Sequence, residues 1–369
     1  MSDTILVGTR KGLFTIKRNG STQWRIEKAD FLADNVGQTA VDPRDGGRYA
    51  VLDLGHFGAK LHRSDDGGKT WAELAVPAYP SKPESDDQKD AWGKPLEWKL
   101  NRIWELVPGH ASEPGVLWTG TLPGGLFRSN DRGQSWEMIR SLWDDPKRKE
   151  WFGGGADLPG IHSICVDPRD AKRVTLGVSC GGVWQTTDGG KTWDCRATGM
   201  WAAYMPPEKK DDPNIQDPHR VVNCVGKPDC FWAQHHNGIF RTTDGSKTWH
   251  EVPCSEPSNF GFAVAVHPRD PETAWFVPAT KDEKRIPRDG KVVVTRTRNG
   301  GKSFDILRNG LPQEHAYDLV YRHALAIDGT GQRLAFGSTT GSLLVTEDNG
   351  DSWQTVSLNL PPVYCVQFA

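Results

Sequence analysis

Thr186-Thr-Asp-Gly-Gly-Lys-Thr-Trp193 decides how the rest of the chain is read, because it recurs. The same pattern stands at Ser64-Asp-Asp-Gly-Gly-Lys-Thr-Trp71, Ser129-Asn-Asp-Arg-Gly-Gln-Ser-Trp136, Thr242-Thr-Asp-Gly-Ser-Lys-Thr-Trp249, Thr297-Arg-Asn-Gly-Gly-Lys-Ser-Phe304 and Thr346-Glu-Asp-Asn-Gly-Asp-Ser-Trp353. A weaker first unit ends at Trp24, after Asn19-Gly20. The closing aromatics fall at 24, 71, 136, 193, 249, 304 and 353, about 47–65 residues apart. A period of that size, with strand patterns and no helical pattern inside it, marks a repeat architecture. Seven units predict an all-β, seven-bladed β-propeller in one domain, residues 1–369.

The chemistry of the repeat is that of a turn. The Asp or Asn accepts hydrogen bonds from nearby backbone N–H groups. The glycines supply left-handed turn positions. The Trp opens the next strand and places a large apolar body between sheets. On this reading the acids bind backbone only, and Trp71, Trp136, Trp193, Trp249 and Trp353 are buried. Upstream of the turn lie runs such as Gly182-Val-Trp184, a short strand such as Arg173 to Gly177, and an apolar strand ending in a Pro turn, as in Ser163-Ile-Cys-Val-Asp-Pro168. That makes four strands per unit. The pattern begins out of phase at Thr4 to Gly8 and ends on Val363 to Phe368, so the two end strands are expected to close one blade together.

Composition narrows the partners. The formal charge is −2, from 45 basic and 47 acidic residues, with no basic stripe. Nucleic acid and anionic membrane are poor partners for such a surface. No apolar run approaches the roughly 20 residues of a membrane span. The first residues lack a basic segment followed by a long apolar stretch, so no signal peptide is expected. Seven Cys without a CxxC fit reduced thiols, and the expected location is cytoplasmic.

Variation in repeat length concentrates in residues 75 to 102, 138 to 161 and 197 to 219. Extra length in a propeller maps to loops on one face, often the binding face. Trp92, Trp98, Trp143, Trp151 and Trp201 in these segments suggest a lid or rim. Histidines fall in connections expected on that same face: His56, His162, His219, His235, His236 and His315. Asp157, Asp217, Glu314 and Asp318 are acidic candidates there, and Arg220 is a candidate clamp for an anionic or hydroxylated ligand. Two chemistries are open. For hydrolysis, His162 or His219 suits proton transfer, with Asp157, Asp217 or Asp318 orienting the imidazole and Arg220 clamping the substrate. His56, His235, His236 and His315 suit a divalent metal. No GxSxG, P-loop or dinucleotide fingerprint is present.

On its repeated turns the whole chain resembles the bacterial BNR/Asp-box repeat proteins labelled sialidase-like or glycosyl hydrolase. The same repeat occurs in sialidases, propeller hydrolases of oligoxyloglucan, sortilin-type receptors and a photosystem II assembly factor. The resemblance implies a propeller and a hydrolase acting on a small polar or carbohydrate-like ligand. The alternative is a non-catalytic propeller that binds a ligand or a protein partner. A true sialidase fits poorly: sialidases have six blades and an Arg-Ile-Pro element near the start. Here Arg285-Ile-Pro287 comes late.

Overall fold

The computed structural model describes residues 2–20, 23–90, 93–154, 156–254 and 256–369. Trp92, one of the expected rim residues, lies outside them. Among the described residues, seven four-stranded antiparallel sheets give the all-β, seven-bladed β-propeller that the repeat predicts. The sheets are Val36–Val41 to Ala72–Leu74, Arg102–Pro108 to Glu137–Met138, Gly160–Val166 to Asp194–Cys195, Pro218–Cys224 to His250–Val252, Gly261–Val266 to Asp305–Leu307, and Leu325–Ile327 to Gln354–Ser357. The remaining sheet joins the two ends of the chain. Val363–Phe368 pairs with Thr4–Thr9, from Ile5 opposite Phe368 to Gly8 opposite Cys365.

Contacts divide the chain into two compact units. One comprises Met1–Thr39, Val222–Gly245 and His250–Ala369; the other comprises Ala40–Val221 and Ser246–Trp249. In the first, Trp275, Phe336, Trp353, Val366 and Phe368 belong to one apolar core. In the second, Trp118, Ile161, Leu176, Trp151 and Trp184 do. Each fully buried aliphatic or Phe side chain of this kind stabilises by about 1.5–3 kcal/mol.

The repeated turn works as a hydroxyl–carboxylate clamp. Ser64 Oγ donates to Asp66 Oδ1 at 2.8 Å and accepts from Gly68 N at 2.8 Å. Asp66 also accepts from Lys69 N, Thr70 N and Thr70 Oγ1 at 2.7–2.9 Å. Thr186, Asp188 and Thr192 repeat the arrangement, and Asn299 fills the same place between Thr297 and Ser303. The expectation of backbone-only contacts is therefore corrected: neighbouring hydroxyls are also bound. The closing tryptophans divide as well. Trp193, Trp249 and Trp353 are buried, whereas Trp71 and Trp136 are only partly so. Trp136 packs against the core of Tyr49, Leu61 and Leu117 while its indole N–H donates to Ala75 O at 3.0 Å.

Two further devices join successive sheets. Glycines sit where the next sheet's first strand crosses. A Cβ on Gly8 would stand 2.8 Å from Val36 O, one on Gly177 2.9 Å from Val221 Cγ2, and one on Gly120 would overlap the Ile161 carbonyl. The second device is Val-Asp-Pro-Arg or Val-His-Pro-Arg. Arg44 binds Asp42 through its N–H and guanidinium and reaches the carbonyls of His110 and Val116. Arg169 N donates to Asp167 Oδ1 at 2.8 Å. Arg269 N donates to His267 Nδ1 at 3.2 Å, and its guanidinium reaches the carbonyls of Gly329 and Thr330.

Candidate functional site

In the unit around residues 40–221, three first strands carry a basic group within their first three residues: Arg102, His162, and His219 with Arg220. Pro218 opens its strand at a position where a missing N–H is tolerated. The segment before it is fixed. Asp212 caps a short 3-10 turn by accepting from Asn214 N at 2.9 Å. Gln216 Nε2 donates to Lys210 O at 3.0 Å and to Asp212 O at 2.8 Å. Trp151 Nε1 donates to Asn214 Oδ1 at 3.1 Å, which ties a second long loop to this one. Trp143 and Trp151 are thus buried fasteners rather than rim.

That framework sets Asp217, which is 4% exposed. Its Oδ1 accepts from Ser179 Oγ at 3.2 Å and from Cys180 N at 3.1 Å. Cys180 has φ 48°, an uncommon left-handed backbone for a non-glycine, at the end of the strand Val174–Ser179. Asp217 Oδ2 lies 3.4 Å from His219 Nε2, and His219 is also buried. A Cβ on Gly154 would fall 2.6 Å from Cys180 Sγ and 3.7 Å from Asp217 Oδ2, so the absence of a side chain here lets the loop lie close over Cys180 and the carboxylate. Tyr204 Oη donates to Ile215 O at 3.1 Å. Burial around the phenol, then the Asp217 carboxylate, hold it well above the ordinary tyrosine range.

His162 and Arg220 form a second group. The His162 ring lies edge-on to Trp104, with centroids 5.4 Å apart, and its Nδ1 is 3.0 Å from Ser163 Oγ. Arg220 Nη1 donates to His162 O at 2.7 Å and to Glu105 Oε2. The sequence reading did not single out Glu105. Its signal was a lone carboxylate in the apolar run Ile103-Trp-Glu-Leu-Val107, since a buried charge needs a partner. Asp157 is exposed in the loop preceding Gly160–Val166, and His56 is exposed in the turn Gly55–Phe57, its ring tilted against Phe57.

The other expected residues belong to the unit that carries both chain ends. His235 is fully buried; its Nδ1 accepts from Asn237 N at 3.1 Å, and its ring packs on Phe240. His236 is half-buried, with Nε2 4.0 Å from Asp282 Oδ2 and its ring edge-on to Phe260. His315 is exposed, with φ 51°. Asp318 accepts from Ser338 Oγ at 2.6 Å and from Thr340 Oγ1.

Two capabilities follow from these contacts. A carboxylate fixed by two donors and set beside an imidazole orients that imidazole and stabilises its charged form. Asp217 and His219 each also offer a ligand atom of a type that metals accept, as does His236 in its own unit.

No family model matches the chain. The xyloglucanase Xgh74A of Acetivibrio thermocellus is 30% identical over 149 residues, 35% of this chain and 16% of that protein. A xyloglucanase of a Paenibacillus species is 26% identical over 211 residues, 50% of this chain and 19% of that protein. The chain therefore spans less than a fifth of the length of these curated relatives. Among solved structures, a GH74 xyloglucanase from Xanthomonas campestris superposes with a TM-score of 0.65 at 17% identity, over 97% of this chain and 53% of that one. The periplasmic gluconolactonase of Pseudomonas aeruginosa gives 0.60 at 11% identity, over 99% and 98%. YCF48 from Cyanidioschyzon merolae gives 0.56 at 15% identity, over 94% and 96%. The structural likenesses establish the fold. With the sequence matches, they make the chain a seven-bladed propeller distantly related to glycoside hydrolases.

Proposed function

We propose that the protein is a hydrolase acting on a carbohydrate-like polar substrate, with its reacting groups at Asp217 and His219. The observation that supports this reading most is the buried carboxylate–imidazole contact beneath Gly154, at the start of a strand, where loops rather than core surround it. In hydrolysis of a glycosidic bond, the C–O bond breaks, the leaving oxygen takes a proton, and water supplies the new hydroxyl. His219 carries the proton and Asp217 holds the imidazole in its charged form during transfer. Arg220, fixed by Glu105 and the His162 carbonyl, orients substrate hydroxyls. Trp104 offers a ring face for a sugar. In the alternative form of the site, a divalent metal would be held through Asp217 and His219 and would polarise the bond under attack, with His219 then a ligand and not the proton carrier.

The test is hydrolysis of xyloglucan oligosaccharides, chosen from the activity of the sequence relatives, read as new reducing ends. Asp217→Asn and His219→Gln should each lower kcat by roughly 10²–10⁴-fold, the usual contribution of a positioned proton-transfer group. Far-UV circular dichroism should stay unchanged. Metal analysis of wild type against the same variants separates the metal form from simple acid–base chemistry. Full activity in both variants would remove the assignment. A protein-binding propeller is the second reading, favoured by the near-equal length of the YCF48 propeller. Absence of hydrolysis together with capture of a peptide ligand would establish it.

A further inference from the structure

The unit that carries both chain ends holds a cavity of about 250 Å³ whose lining is mostly charged: Glu256, Arg288, Asp289, Lys291 and Arg308, with Gln313. Local structure builds it. The short turn Arg288–Gly290 leads into the strand Val294–Thr297, which pairs with Asp305–Leu307. Val292 N donates to Pro312 O at 2.9 Å and Leu311 N to Arg308 O at 2.9 Å, so the segments before and after this strand pair are clamped side by side. The clamp brings Arg288 and Lys291 from one segment to the same cavity as Arg308 and Gln313 from the other. Ala316 N donates to Gly290 O at 3.0 Å, which sets His315 beside the same turn. Arg288 is occupied in part, with Nη1 bonded to Pro257 O and 3.6 Å from Glu256 Oε2. Lys291 and Arg308 make no ion pair among the described residues.

We propose that this cavity binds a small polyhydroxylated anion, a sugar bearing a carboxylate or a phosphate. Two unpaired cations at one concavity raise the local concentration of anions. Arg308 presents a planar fork suited to an oxyanion, and Lys291 a mobile point charge. Glu256 and Asp289 accept hydrogen bonds from hydroxyls and repel a bare polyanion. The cavity lies just below the usual range of about 300–1,000 Å³ for drug-sized ligands, which suits a single sugar ring. Pro257 and Arg288 also line an adjoining cavity of about 490 Å³, so a longer ligand has room to continue. This proposal does not rest on the hydrolase reading.

Calorimetric titration of the full chain with glucuronate, glucose 6-phosphate and glucose, at constant ionic strength, tests it. Saturable binding of at least one anion is expected, with glucose roughly tenfold weaker or undetectable, as the loss of charge-assisted bonds predicts. The tighter of the two anions identifies which acidic group the site takes. The double variant Lys291→Ala with Arg308→Ala should weaken that anion by roughly tenfold or more. Lys302→Ala, an exposed cation outside the cavity, should leave it unchanged. All three positions are exposed, so folding is expected to survive. If the double variant does not fold, Arg308→Gln alone carries the same comparison. Equal affinity for glucose, an unchanged double variant, or no saturable binding of either anion overturns the proposal.

Discussion

Asp217 and Glu105 show how differently two buried acids announce themselves. Asp217 was legible because it stands in a polar segment, Gln216-Asp-Pro-His-Arg220, just before an apolar strand. Glu105 was not, because hydrophobic neighbours made its run look like plain core. Only the structure supplies Arg220 as its partner. The donors to Asp217, Ser179 and Cys180, lie almost forty residues upstream and could not be paired with it by spacing. Single residues also carry the packing between sheets, and Gly120 and Gly37 make a clean comparison. A Cβ at 120 would overlap the Ile161 carbonyl, whereas one at 37 meets nothing within 4 Å. Gly120→Ala should cost about 1–3 kcal/mol through overpacking. Gly37→Ala should be neutral or stabilise by up to about 1 kcal/mol, by restricting the unfolded chain. Urea unfolding midpoints of the two variants measure the difference, and equal midpoints would show that the crossing tolerates a methyl group.

The turns were readable as elements because their chemistry is local: hydroxyl, acid, glycine and aromatic lie within eight positions. The Val-Asp-Pro-Arg staples were read only as strand ends, since their targets, such as the Val116 carbonyl for Arg44, are remote in sequence. The staples differ in one instructive respect. Asp42 and Asp167 accept the Arg N–H with a carboxylate, while His267 does so with a ring nitrogen that also accepts from Asp270 N at 3.0 Å. Burial lowers the His267 pKa, with Arg269 adding to it, although Asp270 and Asp328 pull it upward. The sign follows. A depressed imidazole contributes stability that is complete above its unfolded value near 6.5 and is lost as pH falls through the lower folded value. His267→Asp, which copies the chain's other two staples, should therefore shrink the loss of Tm between neutral and mildly acidic buffer. An unchanged pH slope would mean that the His267 contact does not persist in solution.

For the whole molecule, the count of seven blades and the shared terminal sheet were legible from repeat number and phase, because each unit must bury its faces against its neighbours. Whether a propeller cleaves, binds or assembles is not written in that repetition, since the repeats specify turns and cores rather than the loops that differ between units. The terminal sheet carries its own test. Deleting residues 363–369 strips the partner from Thr4–Thr9 and exposes a buried apolar edge. The truncated protein should aggregate or unfold at a markedly lower temperature, as read by size-exclusion chromatography and Tm. A monomer with wild-type Tm would show that the closing strand adds no stability. The same pairing has a consequence for biosynthesis. Thr4–Thr9 leaves the ribosome more than 350 residues ahead of its partner Val363–Phe368. At about 5–20 residues per second, that edge stays open for roughly 20–70 s of translation. The nascent chain is then exposed to strand capture by its neighbours on the same messenger, and a chaperone that shields the early edge would determine the yield of native protein.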